Sequence, residues 1–141
     1  MTDMTVFLTE NDPRWGSHSG GSGHDSDPEW GPEDRALAAG FRAALTPNAG
    51  LVLDYLVERP GQRVHCTELF THALGRTDGT NPASAVAGVL NGMSAAREEA
   101  GRRYPFTWWE GERGADYAVR PSTAAVFLAG RHEPAAVPRQ G

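Results

Sequence analysis

The stretch YPFTWWEGERGADYAVR, residues 104–120, decides the fold because it predicts a β-hairpin after a run of helices. Apolar and polar residues alternate in Tyr104–Trp109 and again in Ala115–Arg120, which is the period of a half-buried strand. The five residues between them are charged or glycine, as a turn requires. Cross-strand aromatic pairs stabilise such a hairpin by roughly 0.2–1 kcal/mol each. We therefore predict two antiparallel strands.

Helix signals precede this hairpin in a regular order. Thr46 is predicted to cap a helix with a proline at its first position, and residues 59–61 end it. Residues 63–65 are short and extended, long enough to pair with a hairpin. Thr67 is predicted to cap a third helix, which Gly75 closes in the left-handed conformation.

A fourth helix is predicted to begin at Thr80 or Asn81 and to bury an apolar stripe along one side. The stripe consists of Val86, Val89, Leu90 and Met93. The pair Asn91-Gly92 favours left-handed backbone, so we expect it to break the helix and residues 94–100 to form a second piece. Helices are also predicted at Glu33–Leu45 and from Pro121 onward. The fold class expected is mainly α with a small antiparallel sheet.

Charge divides the chain into two unequal parts although the net charge is only −5. Residues 1–34 hold eight acids against one arginine, whereas residues 35–141 hold twelve arginines against ten acids. Glycine, serine, aspartate and proline dominate from Asn11 to Gly31, a composition that cannot bury enough surface to offset the entropy of ordering. We predict a flexible acidic segment over 1–31, one domain over 32–131 and a disordered tail over 132–141. Within the first segment, Met4–Leu8 is expected to form a short strand or an apolar anchor.

Residues 47–130 resemble a winged helix-turn-helix domain, the fold of many bacterial repressors. The resemblance rests on three runs: LDYLVERPGQRV at 53–64, VAGVL at 86–90 and GRRYPF at 101–106. They are similar to the first helix and strand, the recognition helix and the approach to the β-wing of such domains. More narrowly, the chain resembles an uncharacterised group of winged-helix proteins from high-GC bacteria with a flexible N-terminus, which implies a fold but no activity.

This resemblance implies a DNA-binding regulator that docks helix 81–91 in the major groove. Helical spacing then places Ser84, Gly88, Asn91 and Ala95 outward, and we expect Ser84 and Asn91 to contact bases. Arg76, Arg102, Arg103 and Arg113 are the predicted phosphate anchors. Since one short helix reads few base pairs, a homodimer is expected, paired through the helix that carries Leu37 and Phe41. An acidic segment folded over Arg102 and Arg103 would inhibit binding.

A protein-interaction module is the alternative, with the aromatic hairpin or the acidic segment as its contact surface. The turn 110–114 contains two acidic residues and one arginine, so its net charge is negative. We expect a DNA minor groove to repel it. Alternation also puts Trp109 on the face opposite Trp108. An exposed Trp109 would mark an interface, whereas a buried one would lie under the N-terminal helix. Both alternatives stay open, and neither the operator nor the partner follows from the sequence.

Enzymatic and membrane functions are not expected. Cys66 is the single cysteine, and we expect it to point away from its neighbour His65, so it lacks a base. The residues His18, His24, Asp25 and Asp27 are interpreted as a solvated loop rather than a metal site. No cofactor is implied. Without a transmembrane run or a signal peptide, a cytoplasmic location is expected.

Overall fold

The computed structural model describes residues 6–16 and 28–132 of the 141-residue chain. Strand β1 spans Val6–Phe7, β2 Gln62–His65, β3 Thr107–Trp109 and β4 Asp116–Ala118. Helix α1 spans Arg35–Ala44, α2 Pro47–Val57, α3 Cys66–Glu68, α4 Pro82–Asn91, α5 Ser94–Ala100 and α6 Pro121–Gly130. A π-helical turn, Leu69–Ala73, continues α3, and 3₁₀ turns occupy Pro13–Gly16 and Pro32–Asp34. No helix among the described residues is long and apolar enough to cross a membrane.

Local signals set most of the helix boundaries where they were predicted. The Thr46 hydroxyl accepts a hydrogen bond from the Ala49 amide, and Asn81 does the same for Ser84. Gly75 has a φ of +67° after the π-helical turn. The prediction for Thr67 is wrong: the cap is His65, two residues earlier, α3 begins at Cys66, and the His65 ring nitrogen Nδ1 accepts from the Thr67 amide at 3.1 Å.

A four-stranded antiparallel sheet forms in the order β1-β2-β4-β3. The predicted hairpin is confirmed, since Trp108 lies opposite Tyr117 and Trp109 opposite Asp116. Strand β2 joins it through Val64 and Tyr117. The fourth strand, β1, pairs with the outer edge of β2, so Val6 and Phe7 belong to the sheet.

The helical core forms where α1, α2 and α6 pack together. Trp30, Phe41 and Phe127 contact one another there, with ring centroids 4.9–5.8 Å apart. Each such aromatic pair is worth about 0.5–1.5 kcal/mol beyond its buried area. Phe41 is therefore part of the internal core, 3% exposed, and is not available as the dimer contact that the sequence suggested.

The ends of the predicted flexible segment are packed against the domain. Trp15 and Trp30 are both 5% exposed, and Pro13–Gly16 is a regular turn. The expectation of few buried contacts over 11–31 is therefore wrong for residues 11–16 and 28–31. Residues 17–27, 1–5 and 133–141 lie outside the described ranges, so the predictions for those parts stay predictions. We call residues 6–16 the strap, because they run across the sheet.

Candidate interaction face and arginine contacts

The outer face of α4 is open and uncharged. Ser84, Gly88 and Asn91 are exposed, as is Ala95 at the start of α5, whereas Val86, Leu90 and Met93 are buried. A side chain added at Gly88 would meet nothing within 4 Å. The helix ends after Asn91 without left-handed backbone, since Gly92 has a φ of −68°. The predicted break is confirmed, but a different conformation produces it.

Arg113 lies beside the N-terminal end of α4. It lines a cleft of about 820 Å³ whose walls come from three segments: residues 65–68, 81–83 and 112–114. The Arg113 side chain is exposed and forms no ion pair with residues 6–16 or 28–132. Two carboxylates, Glu68 and Glu112, line the same cleft, so its net charge is not positive.

Arg76 is held by its own turn. Its Nη2 atom donates to the Asp78 carboxylate and to the Thr80 hydroxyl, both at 2.9 Å, and the guanidinium lies over the Phe70 ring. A hydrogen bond from the Thr80 amide, together with those from Arg76, lowers the pKa of Asp78. The positive charge of this predicted phosphate anchor is therefore compensated locally.

Arg102 forms a bidentate pair with Asp34. The Nε and Nη2 atoms of the guanidinium donate to the two carboxylate oxygens at 3.0 and 3.1 Å. The Asp34 side chain is 7% exposed, and it also accepts from the Gly31 amide at 2.8 Å. These donors, Arg102 first, lower the pKa of Asp34 against the opposing effect of burial.

Arg103 lies against the segment that leads into α1. Its backbone amide donates to the Pro28 carbonyl at 3.0 Å, and its carbonyl accepts from the Trp30 indole at 2.8 Å. Its guanidinium is 3.4 Å from the Glu29 carboxylate. Arg102 and Arg103 therefore contact residues 28–34, whereas Arg113 lines the cleft at the start of α4, and the structure does not bring the predicted anchors into one cluster.

Arg120 is the residue that sequence reasoning missed. It caps α6 and contacts Glu29 at 3.2 Å and Glu10 at 3.7 Å, while its guanidinium lies 5.6 Å from the Trp15 ring. Residues on both sides of the 17–27 segment thus converge on one arginine. The sequence showed only that Arg120 follows an aromatic strand. No local pattern predicts its contacts with Glu29 and Glu10, which lie 91 and 110 residues earlier in the chain.

Trp109 is covered rather than exposed. It is 7% exposed, its indole donates to the Arg14 carbonyl at 3.1 Å, and its ring lies 5.8 Å from that of Trp15. Leu8 and Ala118 complete this second apolar cluster. The expectation of an exposed Trp109 at an interface is therefore wrong, and the cover is the strap rather than the N-terminal helix. Leu37, the other predicted dimer residue, is half-buried.

The expected separation of His65 and Cys66 is also wrong. The Cys66 sulfur lies 3.7 Å from His65 Nδ1, because the chain turns from β2 into α3 between them. That nitrogen is occupied by the Thr67 amide, however, and burial raises the pKa of the Cys66 thiol. The contact accordingly lacks the two features of an activated nucleophile, a free base and an accessible thiolate. Among the described residues there is no group of three or more potential metal ligands.

Comparison with known families places residues 35–133 in a family of unknown function, DUF6416, and the chain belongs to that family. No curated protein and no solved structure matches it. The matched region starts at α1. It includes all four predicted anchors, Arg120 and α4, but neither the strap nor the carboxylate of Glu29.

Proposed function

We propose that this protein is a winged helix-turn-helix module that docks on a partner protein through the outer face of α4. The observation that carries the proposal is a contrast in charge. The outer face of α4 is exposed and uncharged, while Arg76 and Arg102, two of the predicted phosphate anchors, are each held by a carboxylate of the same chain.

The order of elements supports the winged-helix part of the proposal. Helix α2, strand β2, helix α3 and helix α4 precede the β3–β4 hairpin, and the three strands pair in the order β2-β4-β3. Such a fold presents the outer face of its second helix-turn-helix element to whatever it binds. In this chain that element is α4.

The charges around α4 favour protein over DNA. Glu112 is exposed in the cleft at the N-terminal end of this helix, and DNA affinity depends on cations that neutralise phosphates. Small residues such as Ala87 and Gly88 let another backbone approach closely. The partner surface that suits this face is therefore flat, with a basic group placed opposite Glu112.

Double-stranded DNA is the second candidate, and two observations favour it. Ser84 and Asn91 are exposed at the positions expected to read bases, and Arg113 is not ion-paired within the described residues. In this case the module would be a transcriptional regulator, docked by α4 and by Arg113.

The substitution Gly88→Arg distinguishes the two candidates because its expected effects have opposite signs. There is room for the side chain, and replacing a helix-interior glycine stabilises the helix by about 1 kcal/mol. A long cation on the face blocks a partner that packs closely against α4. In contrast, it adds a phosphate contact to a DNA interface and steepens the salt dependence by about one unit.

A photo-crosslinking amino acid at Ala87, in cells that naturally express the protein, gives the direct readout. We expect a discrete protein adduct that Gly88→Arg abolishes, and no such adduct from a crosslinker at Asn48, which is exposed on α2. In parallel, fluorescence anisotropy measures binding to random duplex DNA at low and moderate salt. Salt-dependent duplex binding that Gly88→Arg tightens would replace the protein-docking proposal with the DNA candidate.

A further inference from the structure

We propose that Arg103 and Arg120 form a binding site for a phosphate group, and that the carboxylate of Glu29 occupies this site in the present structure. The site lies beside the segment 28–34 and does not include α4. It therefore stands or falls independently of the docking face.

Two guanidinium groups converge on the carboxylate of Glu29, and that of Arg120 also lies 3.7 Å from Glu10, whose carboxylate accepts hydrogen bonds from Ser122. The Nη1 atom of Arg103 is 3.4 Å from Oε2 of Glu29, and the Nη1 atom of Arg120 is 3.2 Å from Oε1. A planar carboxylate satisfies each arginine through one oxygen. A free phosphate offers more acceptor oxygens and a larger charge, a nucleic-acid phosphodiester offers two anionic oxygens, and paired guanidinium groups are a common way of recognising either.

Both arginines are positioned by contacts other than the one with Glu29. The backbone of Arg103 is fixed by the Pro28 carbonyl and by the indole of the buried Trp30. Arg120 is the cap residue of α6 and lies next to the ring of Trp15. Because these contacts do not involve the Glu29 carboxylate, we expect the backbone of Arg103 and the guanidinium of Arg120 to stay in place when that carboxylate is removed.

The carboxylate is placed to be displaced by a ligand from solvent. The Glu29 side chain is 55% exposed, while Arg103 and Arg120 are 33% and 30% exposed. Exposed ion pairs are weak, so an anion of higher charge competes with them at modest cost. Both arginines lie within the region that matches the family, and Glu29 lies outside it. In this structure the two arginines, which belong to the family domain, are therefore contacted by a carboxylate from the segment that precedes that domain.

The chemistry shared by the possible ligands is a phosphate, either free or in the backbone of a nucleic acid. The test uses the ¹⁵N-labelled full chain and follows the Nε–Hε signals of Arg103 and Arg120 by nuclear magnetic resonance. One titration uses inorganic phosphate and the other a short oligonucleotide. The variants are Glu29→Gln and its control Glu99→Gln, which removes the same charge from an exposed position on α5.

We expect Glu29→Gln to bind phosphate about fivefold more tightly than the wild type, the size expected when an exposed ion pair no longer competes. Glu99→Gln should bind as the wild type does. Adding Arg103→Gln to Glu29→Gln should abolish the gain. Saturation by the oligonucleotide alone assigns the site to a nucleic-acid backbone, and saturation by inorganic phosphate assigns it to a free phosphate.

The proposal is overturned if neither ligand shifts the two arginine signals of Glu29→Gln. Equal gains in Glu29→Gln and Glu99→Gln would also overturn it, because the effect would then come from net charge. An amide spectrum that is unchanged outside the site shows that each variant is folded, so a missing gain cannot be attributed to unfolding.

Discussion

Replacing Gly61 by alanine tests whether the strap is fastened to the domain by close backbone contact. Gly61 has a φ of +77°, and an added Cβ would fall on the carbonyl oxygen of Leu8. The Leu8 amide also donates to the Gly61 carbonyl at 2.7 Å. The clash involves backbone on both sides, so it cannot be relieved by a side-chain rotation, and the strap must move.

Two contributions set the expected size. Left-handed backbone costs a residue with a Cβ roughly 1–2 kcal/mol. Displacing the strap also exposes Leu8, which is only 2% exposed, and a fully buried leucine is worth about 1.5–3 kcal/mol. The two contributions together lower the free energy of unfolding by about 2.5–5 kcal/mol.

Gly75→Ala is the matched control, because Gly75 has a φ of +67° but an added Cβ would meet nothing within 4 Å. It should cost only the backbone contribution, about 1–2 kcal/mol. Urea unfolding followed by tryptophan fluorescence measures both, and native Gly61→Ala should in addition emit at longer wavelength as Trp15 and Trp109 reach water. Equal losses in the two variants, with unchanged native emission, would refute the reasoning.

Two further predictions concern single contacts. Asp34→Asn should destabilise the protein by about 1–3 kcal/mol near neutral pH, as expected when a hydrogen bond to a charged group is lost. Because the folded pKa of Asp34 is lowered, the wild type keeps this advantage above the ordinary carboxyl pKa of about 4 and loses it as the pH falls further. The two proteins should therefore converge in stability in acid, and a constant difference from pH 7 to pH 3 would contradict the assignment to Asp34. Gly114→Ala should cost about 2–4 kcal/mol, since its φ is +109° and an added Cβ would lie 2.5 Å from the Cys66 sulfur. Combining Gly114→Ala with Cys66→Ala should reduce the combined loss in the free energy of unfolding by about 1 kcal/mol, because the sulfur that the Cβ meets is then absent. If denaturant unfolding shows that the losses of the two single variants simply add, the clash is disproved.

Short-range chemistry explains which parts of the fold were predictable. The caps at Thr46 and Asn81, the left-handed Gly75 and the start of α6 at Pro121 each depend on residues within a few positions. The alternation in residues 104–120 was sufficient for the hairpin, whose strands form over Thr107–Trp109 and Asp116–Ala118. The error at Thr67 has a local cause as well, because the imidazole of His65 accepts from the Thr67 amide and takes the cap position two residues earlier.

The candidate sites were less predictable because their partners are far apart in the chain. Counting charges correctly separated an acidic beginning from a basic remainder, but it could not show which arginine meets which acid. The contact of Arg102 with Asp34 spans 68 residues, and that of Arg120 with Glu29 spans 91. These contacts decide whether an arginine is available to a ligand, and no periodic pattern encodes them.

The sequence by itself determined the order and type of the elements, because helix caps, turn glycines and apolar periodicity act over less than one helical turn or one strand pair. Only the tertiary structure decided where residues 6–16 and 28–34 lie, what covers Trp109 and which of the described arginines are paired. The physical reason is that these outcomes depend on burying two tryptophans from a polar segment, Trp15 on the sheet and Trp30 in the helical core. The local composition around Trp15 and Trp30 favoured disorder. Composition alone carries no information about the free energy gained when these two side chains are buried against distant parts of the chain.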